Sequence, residues 1–120
     1  MSVKKEDNVI EGVKTWKDEL LSKQRERKIS LKLLEKELEV VRAKTFILTS
    51  ISETVSRGIK EQQDAFNVIN TKESDRLQEL AQKIEDLEKE INANDGINKL
   101  IFYHIDSGVK KHEKKIPEQV

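Results

Sequence analysis

A hydrophobic repeat in steps of three and four runs from Leu31 to Ile69. It passes through Leu31, Leu34, Leu38, Val41, Thr45, Leu48, Ser52, Val55, Ile59, Gln62, Phe66 and Ile69, and nine of these twelve positions are apolar. A repeat of about 3.5 residues brings all of them to one side of an α-helix, where they can bury against another helix. A strand alternates with a period of two and cannot align them. Leu33, Val40, Phe46, Ile47, Ile51 and Val68 lie beside the repeat and widen its stripe. A wide stripe suits a bundle of three or more helices better than a strict two-stranded coil. Thr45, Ser52 and Gln62 interrupt the apolar run, and polar residues in a seam set register at some cost in stability.

Little in the chain would break such helices. It has one Pro and four Gly, and Pro117 sits near the carboxy end, so breakers are almost absent between Val13 and Ala93. Upstream, Ile10, Val13, Trp16 and Leu20 recur at helical spacing and predict a first helix from about Val9 to Lys28. Trp16, the single Trp, reads as its core anchor or as a hot spot for a partner. Downstream, Leu77, Leu80, Ile84, Leu87 and Ile91 keep the three/four spacing in a new phase, since the first register would continue through Glu73, Arg76, Leu80 and Lys83. The phase therefore changes between Asn70 and Ser74, through a stutter or through a turn that begins a new helix. Asn70 to Glu73 and Ser50 to Glu53 both have capping-box spacing. Rod, hairpin and bundle all remain open on this pattern.

Asn92-Ala93-Asn94-Asp95-Gly96 has turn chemistry and is expected to end the helix. Leu100 to Ile105 is the densest apolar run, a short strand or helix that folds back on the seam. The expected fold class is thus all-α: long amphipathic helices forming a coiled coil or helical bundle/hairpin, with a short apolar C-terminal segment. The expected organisation is a flexible amino terminus over 1–8, a helical region over 9–95, a short apolar element over 96–108 and a basic tail over 109–120.

Composition points away from a self-sufficient globule. Of 120 residues, 35% are hydrophobic and 38% charged, more polar than a compact domain. Burial at roughly 25 cal/mol per Å² must offset chain ordering, which favours an oligomer or a partner that completes the apolar seam. Net charge is zero, yet residues 1–60 carry 14 Lys/Arg against 10 Asp/Glu and residues 61–120 carry 9 against 13. Such a dipolar chain favours antiparallel or head-to-tail pairing. There is no Cys, so no disulfide framework or Cys-based zinc site exists. No apolar run approaches the ~18 residues of a membrane span, and residues 1–8 lack the apolar core of a secretory signal. These features lead to an expectation of an intracellular, cytoplasmic protein.

No catalytic motif is present: no Gly-rich phosphate loop, no His-Glu-x-x-His and no Gly-x-Ser-x-Gly. His104 and His112 are the only histidines and have only Asp106 and Glu113 near them in sequence, too few ligands for a transition metal. Neither enzyme activity, cofactor nor metal is expected. Two basic clusters, Lys23 to Lys28 and Lys110 to Lys115, read as solvated faces, with phosphate-backbone contact as the alternative.

Arg27-Lys28-Ile29-Ser30-Leu31-Lys32-Leu33 also fits a strand, with Ile29, Leu31 and Leu33 on one face and Lys28, Ser30 and Lys32 on the other. A helix over Glu35 to about Thr45 and another opening at Ser50 would follow. This order, over residues 27–59, resembles the ribbon-helix-helix DNA-binding proteins. The resemblance implies a dimer whose strands enter the major groove, with Lys28, Ser30 and Lys32 facing bases. It also implies a phosphate held by backbone amides near Ser50 and Ser52.

The sequence thus predicts a non-enzymatic structural or assembly protein, a homo-oligomer or one half of a hetero-coiled coil. Its expected interaction seam is Leu31, Leu34, Leu38, Val41, Leu48, Val55, Ile59, Phe66 and Ile69. The alternative is a ribbon-helix-helix accessory protein or repressor that contacts DNA through Lys28, Ser30 and Lys32 and offers an acidic helical stalk to a protein partner.

Overall fold

A computed structural model describes the backbone of residues 2–118 and the side chains of residues 8–108. Two helices account for nearly all of it: α1 (Ser2–Ser56) and α2 (Lys60–Glu118). The fold is an all-α helical hairpin, and no strand occurs among the described residues. Lys, Glu, Gln, Leu and Ala, which lose little freedom in a helix, fill most positions between the few glycines. The chain divides into two compact units: residues 29–88, which hold the turn, and residues 1–28 with 89–120.

The turn is Arg57-Gly58-Ile59. The Gly58 amide donates to the Val55 carbonyl at 2.9 Å and closes the end of α1. A Cβ on Gly58 would lie 3.2 Å from the Val55 oxygen and 2.7 Å from the Gln62 side-chain oxygen, so the tight passage favours glycine. Helix ends leave carbonyls without intrahelical donors. Here the Gln63 side-chain amide reaches back and donates to Ser56 O and Gly58 O, both at 3.0 Å. Ile59 opens α2 without a capping side chain, though its carbonyl accepts the first bonds from the Gln62 and Gln63 amides. Glu61 adds a negative charge to the first turn, where the helix dipole favours one.

Within the unit of residues 29–88, α1 and α2 pack antiparallel. The inward positions of α1 are Leu31, Leu34, Leu38, Val41, Thr45, Leu48, Ser52 and Val55; those of α2 include Gln63, Phe66, Glu73, Leu77, Leu80, Ile84 and Leu87. Both sets keep the three/four spacing. Leu38, Val41 and the fully buried Leu80 form the core, flanked by Leu34, Leu77 and Ile84. The α2 register is continuous through Asn70, so the sequence contains neither the stutter nor the turn expected there. Nor does a helix begin at Ser50, whose hydroxyl donates 2.8 Å to the Phe46 carbonyl inside α1.

Within the unit of residues 1–28 and 89–120, Ile10, Val13, Leu20, Gln24 and Arg27 of α1 turn inward, as do Ile91, Asn98, Ile101 and Ile105 of α2. This seam is markedly polar. Gln24 donates 2.7 Å to Asp95, Arg27 lies 3.6 Å from Glu90, and Lys17 lies 2.9 Å from Asp106. Asn98 is buried. Asn92 to Gly96 does not end the helix, because flanking residues on both sides supply seam contacts and Gly96 takes no left-handed conformation. The expected separate element over 96–108 is therefore part of α2. The side chains of residues 1–7 and of the basic tail, including Lys110 to Lys115 and His112, lie outside the described residues.

Candidate functional site

Seven of the nine expected seam residues face inward: Leu31, Leu34, Leu38, Val41, Leu48, Val55 and Phe66. Ile59 and Ile69 do not; they are 62% and 52% exposed. Ile59 belongs to the turn, and α2 then starts its own count from Gln63. In that count the positions after Phe66 are Asn70, whose side chain stays exposed, and the half-buried Glu73, so Ile69 falls one residue to the side. Within residues 29–88, a single heptad carried through the turn coincides with the inward positions of α2 only at Phe66, Glu73, Leu80 and Leu87. The inward roles of Lys17, Gln24 and Arg27 escaped the apolar pattern. Counting back from Leu31 in fours and threes would have reached all three.

What remains outside the seam is a second apolar stripe on α1, within the unit of residues 29–88. Ile29, Leu33, Val40, Ile47 and Ile51 lie on it, between 42% and 61% exposed. Their spacing places them on one helix face, turned away from the buried positions. Lys36 and Lys44 interleave with them. Isolated exposed apolar side chains are ordinary; these five are aligned on one face, with the two lysines between them.

A charged ladder runs along one edge of this stripe, where α1 meets α2. Arg76 donates to Glu37, through Nε at 3.1 Å, and its Nη1 lies 3.2 Å from Glu79. Lys44 approaches Glu73 at 3.5 Å and Lys83 approaches Glu79 at 3.0 Å. Hydrogen bonds from Lys83 and then Arg76 hold the Glu79 carboxyl below its ordinary pKa. Glu37, followed by Glu79, raises that of the Arg76 guanidinium. The ladder fixes the edge of the stripe geometrically; its exposed pairs add little stability individually.

In the other unit, Val9, Val13, Trp16, Leu100, His104 and Ile105 line an open apolar groove of about 540 Å³. Trp16 is 46% exposed there, so it is not the buried anchor that its spacing suggested. The rings of His104 and Tyr103 meet edge to face with centroids 5.5 Å apart. Among the described residues no group of three His, Cys, Asp or Glu side chains converges as a metal site would require.

Lys28, Ser30 and Lys32 are all in α1, and so is the whole of Arg27 to Leu33. The expected strand is helix because Arg27, Leu31 and Leu34 are inward positions of the three/four repeat, which a strand would scatter. Lys28 and Lys32 lie one turn apart on the same side of α1, while Ser30 points about 160° away from both, so the three do not share one face as strand neighbours would. Lys28 instead lies 3.7 Å from Asp95. No helix among the described residues is long and apolar enough to cross a membrane. No protein-family model, characterised protein or solved structure matches the chain.

Proposed function

We propose that this chain is a non-enzymatic assembly module that works by oligomerisation and by binding partner helices. The observation that carries the reading is the stripe Ile29, Leu33, Val40, Ile47 and Ile51, which stays exposed after the hairpin has closed its own seam. Each aliphatic side chain moved fully from water into a contact contributes about 1.5–3 kcal/mol. Five on one face form a binding surface for further helices, as the width of the sequence stripe also suggests.

Sedimentation equilibrium tests it with wild type and Val40→Asp. Wild type is expected to sediment as an oligomer, and the variant to shift to monomer with its far-ultraviolet helical signal retained. Val40 is 56% exposed, so aspartate there leaves the hairpin's own core intact. A wild-type protein that sediments as monomer at every concentration would refute self-association.

A further inference from the structure

The outward stripe of α1 is symmetric about one residue. Leu33 and Ile47 stand seven positions before and after Val40, Ile29 and Ile51 eleven, and Lys36 and Lys44 four. On an ideal helix all six fall within about 40° of Val40, so the mirror order is laid out along one straight line. Each aliphatic position on one side of Val40 has an aliphatic counterpart at the same distance on the other. That is what a surface must have to pair with its own copy run in the opposite direction.

We infer that a second copy of this chain docks on the stripe antiparallel, with the two-fold axis passing through Val40. This rests on the assembly reading above and names its partner. Val40 then meets Val40 of the second copy, Leu33 meets Ile47 and Ile29 meets Ile51. A parallel pair needs no mirror order, because every residue would simply meet itself, whereas an antiparallel pair does need it.

The flanks agree. A two-fold axis perpendicular to the helix brings like edges together. The edge that carries Glu37 and Lys44 therefore faces the same edge of the copy, reversed. Glu37 stands beside Lys44 of the second copy, and Lys44 beside its Glu37. Arg76 and Glu73, already bound to these two within the chain, extend each contact into a four-residue ladder of alternating charge. The same axis sets Lys36 level with Lys44 of the second copy; Glu37 of the first copy, already beside that Lys44, offsets the like charge, and the long lysine stems carry the ammonium groups outward to solvent. The helix dipoles also oppose.

The area is adequate. Five aliphatic side chains that are each 42% to 61% exposed offer a patch on the order of a few hundred Å² per copy, the size at which a patch on a monomer marks an interaction site. With the flanking charged stems included, two such faces make a contact at the lower end of specific interfaces, about 1,000 Å² in total.

The chain has no cysteine, so single cysteines treated with a short bis-maleimide linker report the contact. Val40→Cys is expected to link into a dimer. Leu33→Cys alone is not, because the two copies of residue 33 would lie about 21 Å apart along the axis. A mixture of Leu33→Cys and Ile47→Cys, refolded together, is expected to link. Phe46→Cys, exposed but off the stripe, stays unlinked. Self-linking of Leu33→Cys as fast as Val40→Cys overturns the antiparallel arrangement in favour of a parallel one. An oligomer in sedimentation whose Val40→Cys variant does not link overturns this docking while leaving the assembly reading standing. Monomers throughout overturn both.

Discussion

Leu80 and Ile69 lie on the same helix, and their truncation separates two registers for α2. Leu80 has no exposed surface and packs on Leu38 and Val41. Buried Leu→Ala changes cost about 2–5 kcal/mol, with the larger values where the surroundings cannot close on the cavity. A two-helix seam is open at its edges and can partly collapse, which places Leu80→Ala near 3 kcal/mol by that scale. Ile69 is 52% exposed. Half of its side chain is already in water and no core side chain is shaped around it, so Ile69→Ala should cost below about 1 kcal/mol. Had the Leu31 register continued through the turn, Ile69 would be a core residue and the two costs would be alike. Urea unfolding followed by circular dichroism, at one protein concentration for all variants, measures both. An unchanged slope on denaturant would show that the difference lies in stability rather than in a change of surface exposed. Equal losses for the two variants, or a loss for Leu80→Ala below about 1 kcal/mol, would refute the register and the core with it.

Two further perturbations address the turn and the charged ladder. Gln63→Ala removes both hydrogen bonds to the carbonyls of Ser56 and Gly58 and should lower stability by about 1–2 kcal/mol, read as a fall in Tm; no change would mean that water replaces the clasp without loss. Glu79 has a folded pKa below its unfolded one, so its contribution is present at neutral pH and is lost as the pH falls below about 4.3 and through the lowered value. Glu79→Gln should flatten that part of the Tm–pH curve, and the wild-type slope should shrink in high salt; a variant as acid-sensitive as wild type would remove Glu79 from the effect.

The helical class and most of the seam were legible because they rest on spacing alone. Leu31 to Val55 kept its register from sequence to structure, and the set Leu77, Leu80, Ile84, Leu87 and Ile91 was visible as a second register. The turn was not legible. Ser56-Arg57-Gly58-Ile59 has one glycine and no Pro, Asn or Asp, and Ile59 continues the heptad by coincidence. The repeat therefore reads through the break, and its change of phase shows only at Asn70, fifteen residues after Val55. Gly58, the only glycine between Gly12 and Gly96, was the available signal. The opposite error occurred at Asn92 to Gly96. Turn-forming residues are a local preference, and here the seam contacts of Ile91, Asn94 and Asn98 override it at a cost of about 1 kcal/mol for a mid-helix glycine. The outward stripe was legible as surplus width, but its separation from the seam required the helix to be placed.

The two units solve the pairing problem with different chemistry. In residues 29–88 the inward positions are mostly aliphatic, and aliphatic burial is strong but indifferent to register: a slip of one heptad would still place Leu or Val opposite Leu or Ile. In the other unit Lys17, Gln24 and Arg27 meet Asp106, Asp95 and Glu90, and Asn98 is buried. The ion pairs among them are half exposed and add little net stability, because water screens their attraction. A slip would return the exposed charges to water at little cost, whereas the buried Asn98 would carry a desolvation penalty of about 1–3 kcal/mol if its polar groups lost their partners. Polar pairs nevertheless cross between the helices in both units: Glu37–Arg76 and Lys44–Glu73 flank the aliphatic seam of residues 29–88, as Gln24–Asp95 and Arg27–Glu90 do in the other unit. Each unit therefore carries its own register marks, and what distinguishes them is how much aliphatic surface each encloses.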